Sequence, residues 1–183
     1  MKYVKMLGLL AVAATALMAF AGTASATILT SPEGTLYTGN IAATSTNSEL
    51  HGAFVTVKCS HSEAKGKVEE HGGVTAGGKI SSLTFTGCNY QVTVNLPGKL
   101  TIHTDGTVTS AEAEIDIHTS VGTCIFTTPV TKTDVGTLVQ GKNASLNINS
   151  AKIPRTGGNF LCGSSGTWTG SYDLTTPNDL WVD

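Results

Sequence analysis

The sequence predicts an all-β domain of two antiparallel sheets packed face to face, an immunoglobulin-like β-sandwich in the broad sense, stapled by disulfides. Three observations predict it. Of residues 27–183, 27 are threonine, and Val, Ile and Gly fill much of the remainder; branching at Cβ restricts χ1 in a helix but fits a pleated strand. Strand-like segments separated by turn residues recur at about the 8 to 12 residue spacing of sandwiches and barrels. Within them apolar and polar side chains alternate, so each sheet presents one apolar face that a second sheet would bury.

The chain opens on Lys2 and Lys5, and Met6 to Ala21 then run without a charge. These are the n-region and h-region of a secretory signal, and Ala24, Ser25 and Ala26 supply the small side chains of a cleavage site. Residues 1–26 are therefore read as a signal peptide and residues 27–183 as one mature domain. Ala19-Phe20-Ala21 is a poorer site because it is embedded in the apolar run. An uncleaved anchor would need roughly 20 apolar residues, more than this run supplies.

Strands are expected at Thr35 to Thr44, Gly52 to Cys59, Ala64 to Glu70, Lys79 to Thr86, Tyr90 to Leu96 and Lys99 to Thr104. Further strands are expected at Thr107 to His118, Cys124 to Thr128, Thr137 to Gln140, Ala144 to Asn149, Gly166 to Thr175 and Leu180 to Val182. Alternation is clearest where Val92, Val94 and Leu96 oppose Gln91, Thr93 and Asn95, and where Ala113, Ile115 and Ile117 oppose Glu112, Glu114 and Asp116. Pro97-Gly98 reads as a hairpin turn, Pro presetting φ and Gly accepting a positive φ. Asp105-Gly106 reads as the next. A three-residue loop with Gly106 left-handed sets Ile102 opposite Val108, both facing the core, whereas a two-residue turn would set Ile102 opposite Thr109. The glycines at 72, 73, 77, 78, 157 and 158 read as loops.

Cys59, Cys88, Cys124 and Cys162 are even in number and share no C-x-x-C spacing, which outside the cytoplasm reads as two disulfides rather than a four-thiolate metal site. Of three pairings, Cys59 with Cys88 and Cys124 with Cys162 staples a local run of strands in each half. On the chain-entropy model each bridge contributes about 3.5 to 4 kcal/mol.

The chain carries 11 Lys and Arg against 13 Asp and Glu, and both signal lysines leave with the signal. Such a balance offers no basic footprint for nucleic acid and no polybasic patch for lipid. The mature region shows no apolar run of membrane-spanning length, so no membrane association is expected once the signal is removed. No nucleophile elbow, H-E-x-x-H, P-loop or dinucleotide fingerprint occurs, and Gly163-Ser164-Ser165-Gly166 reads as a turn. His51, His61, Glu63, Glu69, Glu70 and His71 form the one polar stretch with metal-ligand chemistry, but such charges also suit a solvated edge strand that resists edge-to-edge pairing. His103 and His118 read as outward surface residues. No catalytic residue, metal or cofactor is assigned, and no enzyme activity is expected.

Trp168, Tyr172 and Trp181 gather near the C-terminus as candidates for stacking on a ligand, such as a sugar face. Packing of Trp168 in the core, against a disulfide, is the competing reading. A Val-rich strand ending in Cys59, Thr-Gly-Cys at Thr86 to Cys88, Cys124 leading an apolar strand, and Cys-x(5)-W-x-G-S-Y from Cys162 to Tyr172 make a framework. With its short signal, this layout resembles a family of exported actinobacterial all-β proteins of unassigned function. The resemblance implies export and β structure and supplies no catalytic residues.

The expectation for function is an exported, non-catalytic extracellular or cell-surface protein, structural, adhesive or assembling with itself or other envelope components. A carbohydrate-binding module taking a polysaccharide is the first alternative, and a secreted hydrolase or metal-dependent enzyme the second.

Overall fold

A computed structural model of the chain describes residues 26–183, so the signal-peptide assignment, apart from Ala26, lies outside the described residues. The strands are β1 (Leu29–Thr30), β2 (Asn40–Ser45), β3 (Ser48–His51), β4 (Thr56–Glu70), β5 (Thr75–Cys88), β6 (Gln91–His103) and β7 (Thr107–Thr119). They continue as β8 (Gly122–Thr127), β9 (Thr133–Val139), β10 (Gly141–Lys142), β11 (Ser145–Gly158), β12 (Ser165–Thr176) and β13 (Asp179–Val182), with one 3-10 turn at Phe160–Cys162.

These strands do not form two packed sheets. β4 to β7 pair in chain order, β8 and β9 follow one another along β7, and β11 pairs with both of them and with β12. β2 and β3 then lie between β12 and β4 and close the ring. With β2 and β3 counted as one interrupted strand, and β8 and β9 as another, this is a closed eight-stranded antiparallel barrel. The expected immunoglobulin-like sandwich is overturned. Alternation requires that one face of each strand be buried, and a sheet that curls until its outermost strands meet buries that face against itself.

Several strands are longer than their composition suggested. Pro97-Gly98 does not turn the chain but sits inside β6, where Gly98 (φ +82°) falls between the pairs Pro97 with Ala113 and Lys99 with Ala111, facing Glu112 (φ +60°). A positive-φ glycine serves a bulge as well as a turn. The pleat slips at this point, so Ser110 and Ala113, three residues apart on β7, both face the barrel interior. Gly77 and Gly78 lie within β5, not in a loop, because a Cβ there would strike the carbonyls of Leu100 and Lys67 on the flanking strands. The Asp105-Gly106 loop is the bulged form, with Gly106 at φ +80° and Ile102 paired to Val108, both buried.

The interior is apolar and the exterior polar. Val57, Val68, Val108, Ile117, Phe126, Ile148 and Ile153 point inward and are buried, while Lys58, Lys65, Lys99 and Glu112 stand outside in exposed ion pairs. A membrane-spanning barrel needs the reverse pattern. No helix among the described residues is long and apolar enough to cross a membrane.

At one mouth β1, β13 and β10 form a separate three-stranded sheet. It joins the two ends of the described chain: Ile28 N donates to Asp183 O at 2.8 Å, Asp183 N donates to Ile28 O at 3.0 Å, and Thr30 Oγ1 donates to Asp183 Oδ2 at 2.6 Å. Leu180, without appreciable exposure, borders the lumen and plugs that mouth, and Leu29 on β1 is buried as well. Disulfides Cys59–Cys88 and Cys124–Cys162 lie toward the opposite mouth, and no described cysteine is free.

Candidate binding site

An eight-stranded barrel is just wide enough for its inward side chains to fill it or for one small ligand. Here many inward residues are small: Ala43, Ala64, Gly66, Gly78, Ser110 and Ala113 all border the lumen. They leave two chambers in line. The larger, about 120 Å3, lies beneath the Leu180 plug. The smaller, about 60 Å3, lies toward the disulfide end among Leu50, Val57, Phe85, Val92 and Ile153. Leu83, Ser110, Ala113 and Trp168 border both chambers and form a waist between them.

β12 supplies the waist's aromatic wall. Trp168 and Tyr172 lie an even number of residues apart and so share its inner face. Trp168 meets Phe85 edge-on at 6.2 Å and Tyr172 edge-on at 6.0 Å between ring centroids. The Tyr172 hydroxyl donates to Ser62 Oγ at 2.9 Å, and burial pushes its pKa up to about 12. Across the barrel Ser110 Oγ lies 3.3 Å from Thr128 Oγ1. Ser48, 3% exposed and paired with Gly170 between the two rings, sets its buried hydroxyl beside that of Tyr172, where with Ser62 it partly offsets the effect of burial on the phenol.

Charge is kept out of the lumen. Among residues that border it only Glu49, Lys67 and Lys79 are ionisable at neutral pH. The Glu49 carboxylate is held at the surface by Lys58 and His51, each at 3.0 Å, and the hydrogen bond from Lys58 leads the causes that lower its pKa. Lys67 and Lys79 are exposed.

The wall has a lateral opening. β5 and β6 pair only from Thr75 with His103 to Lys79 with Lys99. Below that, residues 80–88 and 91–98 pair outward to β4 and β7 but not to each other. The Asn89-Tyr90 turn that closes the opening is tied to β4 instead, Asn89 accepting from Lys58 N at 2.8 Å and donating to Thr56 O at 2.9 Å. Leu83, Phe85 and Val92 flank this window and are only partly buried.

Comparison with protein-family models, curated proteins and solved structures finds no match.

Of the stacking candidates, Trp168 and Tyr172 come together inside the barrel, while Trp181 stands apart on β13, opposite Thr30. The three do not share a face. In the His51 to His71 stretch, His51 meets Glu49 and Glu63 meets Lys65, and among the described residues no three His, Cys, Asp or Glu converge as a metal site. His118 is exposed and His103 partly buried, each ring within 3.4 Å of a threonine hydroxyl. Sequence reasoning missed Ser48, Ser62, Ser110 and Thr128. Their signal was a hydroxyl, or an alanine or glycine, at inward positions where a full core would place Leu or Ile.

Proposed function

We propose that this is an exported, non-catalytic binding protein that holds a small apolar molecule inside its barrel. The observation that carries the reading is the incompletely filled apolar lumen, reached through a gap in the wall between β5 and β6. Its polar groups are hydroxyls, and the one titratable side chain among them, Tyr172, is held neutral. That suits binding, not proton transfer. Action outside the cytoplasm is supported by the two disulfides and by the signal-like N-terminal sequence. The resemblance to exported actinobacterial proteins points the same way.

The test is to purify the exported chain with Trp181 replaced by Phe and titrate it with a neutral environment-sensitive dye while following emission from Trp168. Saturation at one dye per chain supports the reading. Absence of saturable binding removes it.

The surface role in envelope assembly or adhesion stands as a second reading, favoured by the disulfide end. Its connecting segments, residues 52–55, 89–90, 120–121 and 159–164, contain no Asp, Glu, Lys or Arg, yet expose Phe54 by 80% and Phe160 by 78%. Sedimentation of the wild type and of a Phe54→Ser, Phe160→Ser double variant tests it. A mass that rises with concentration only in the wild type supports assembly, and monomers throughout count against it.

A further inference from the structure

The hydroxyls that border the lumen are paired with one another, which sets the chemistry of a guest. Resting on the binding reading above, we propose that the guest is an unbranched hydrocarbon of roughly seven or eight carbons, without a hydrogen-bonding group, lying through the waist from one chamber into the other.

Polarity comes first. The side-chain hydroxyls on the chamber walls are those of Ser48, Ser110, Thr128 and Tyr172. Tyr172 donates to Ser62 at 2.9 Å, with the Ser48 hydroxyl beside it as a second partner. Ser110 Oγ lies 3.3 Å from Thr128 Oγ1, which also accepts from Ala113 N at 2.9 Å. The larger chamber ends on Leu138 and Leu180, and Val57, Phe126 and Ile153 wall the smaller. Backbone N–H and C=O groups lie in the plane of a sheet, so those at the window point across it and not into the lumen. A polar end drawn inside would therefore lose its water and gain no partner.

Shape comes next. The bulge opposite Gly98 holds Glu112 at φ +60°, a conformation unfavourable outside glycine. Thr128 clamps it: Glu112 N donates to Thr128 O at 2.9 Å, and Thr128 N donates to Ala113 O at 2.8 Å. Regular alternation from Ser110 would turn Glu112 inward. The bulge sends Glu112 out to Lys99 and sets two small side chains, Ser110 and Ala113, at the waist. Chambers of about 120 and 60 Å3 joined in this way suit a chain of methylenes, not a broad ring or a branched body. An apolar cavity of about 150 Å3 admits benzene, which scales the guest to its length.

The experiment displaces the dye from the exported Trp181→Phe chain with the linear alkanes from pentane to decane, with 1-hexanol and with 2,2-dimethylpentane. Each affinity is divided by the probe's water-to-alkane partition coefficient. The expected quotient is constant from pentane to heptane and at least about tenfold lower by decane, which overfills the lumen. 1-Hexanol matches heptane in non-hydrogen atoms and is expected within about threefold of its quotient, because its hydroxyl finds no partner. 2,2-Dimethylpentane is expected at least about tenfold below heptane, its quaternary end too wide for the waist. A quotient for 1-hexanol about tenfold or more above that of heptane would reveal a place for a polar end. A fall already at hexane would confine the guest to one chamber, and equal quotients for heptane and its branched isomer would remove the waist as a selector. Each of these overturns the assignment of the guest while dye binding persists. Failure of the dye itself to bind overturns the lumen reading as well.

Discussion

The Tyr172 hydroxyl donates to Ser62 Oγ at 2.9 Å across 110 residues of sequence, between two groups that are both buried. It joins β12 to β4 inside the barrel wall at the height of the Trp168 ring. This hydrogen bond ties the strands that flank β2 and β3, where the barrel closes.

Tyr172→Phe leaves Ser62 without its donor, and the expected loss is about 1 to 2 kcal/mol in urea unfolding at pH 7. The alkaline limb carries its own signature. The folded pKa of about 12 lies above the ordinary tyrosine value of 10.0, so this group's contribution is fully present below pH 10 and is lost as pH rises through 12. The wild-type advantage over Tyr172→Phe is therefore expected to fall by about 2 to 3 kcal/mol across that window, so that it vanishes and then reverses. A difference that is flat from pH 9 to 12 counts against a buried phenol.

Replacing Cys59 and Cys88 together by Ser, or Cys124 and Cys162 together, is expected to cost about 3.5 to 4 kcal/mol each on the chain-entropy model. The bridges span 29 and 38 residues, so the second loss is the slightly larger. A non-reduced peptide map yields the two linked fragments. A Cys59–Cys162 fragment would contradict the bridging described above.

Ala113→Leu places three more carbons at the waist. Because the space is already there, stability is expected to hold or rise by about 1 kcal/mol, while dye binding is lost. Loss of stability without loss of binding would mean that the waist is already full and the guest lies elsewhere.

Amide hydrogen exchange reads the window directly. Residues 75–79 of β5, paired to β6, are expected to exchange slowly, and amides of residues 80–88 and 91–98 that face the gap to exchange markedly faster under the same conditions. Guest binding slows the latter set. Uniform protection along β5 and β6 would show a continuous ladder and no lateral opening.

Much of the local structure was legible in the sequence, and the closure was not. The match of faces across Asp105-Gly106 requires Ile102 opposite Val108, and that register is present. Even spacing puts Trp168 and Tyr172 on one face, and they meet. Periodicity, however, says only that a face must be buried, not what buries it. The pairing of β12 with β2 and β3 joins residues more than 100 apart, and no local pattern encodes it. Pro97-Gly98 misled for a related reason, since a bulge and a turn ask for the same residues. The lumen left a faint trace, Ala64, Gly66, Gly78 and Ala113 where bulk was due, visible only once the inward face of each strand is known.

The zipping of Ile28 to Asp183 has a consequence for when this protein can fold. Hairpins can form as the chain emerges, but the first barrel strand finds its second neighbour only when β12 arrives, and the mouth is sealed only by the final residues. A chain built this way stays open to the last, with its apolar lumen spread as an unclosed sheet. Closure of the barrel is thus the last step of folding, whichever hairpins form first.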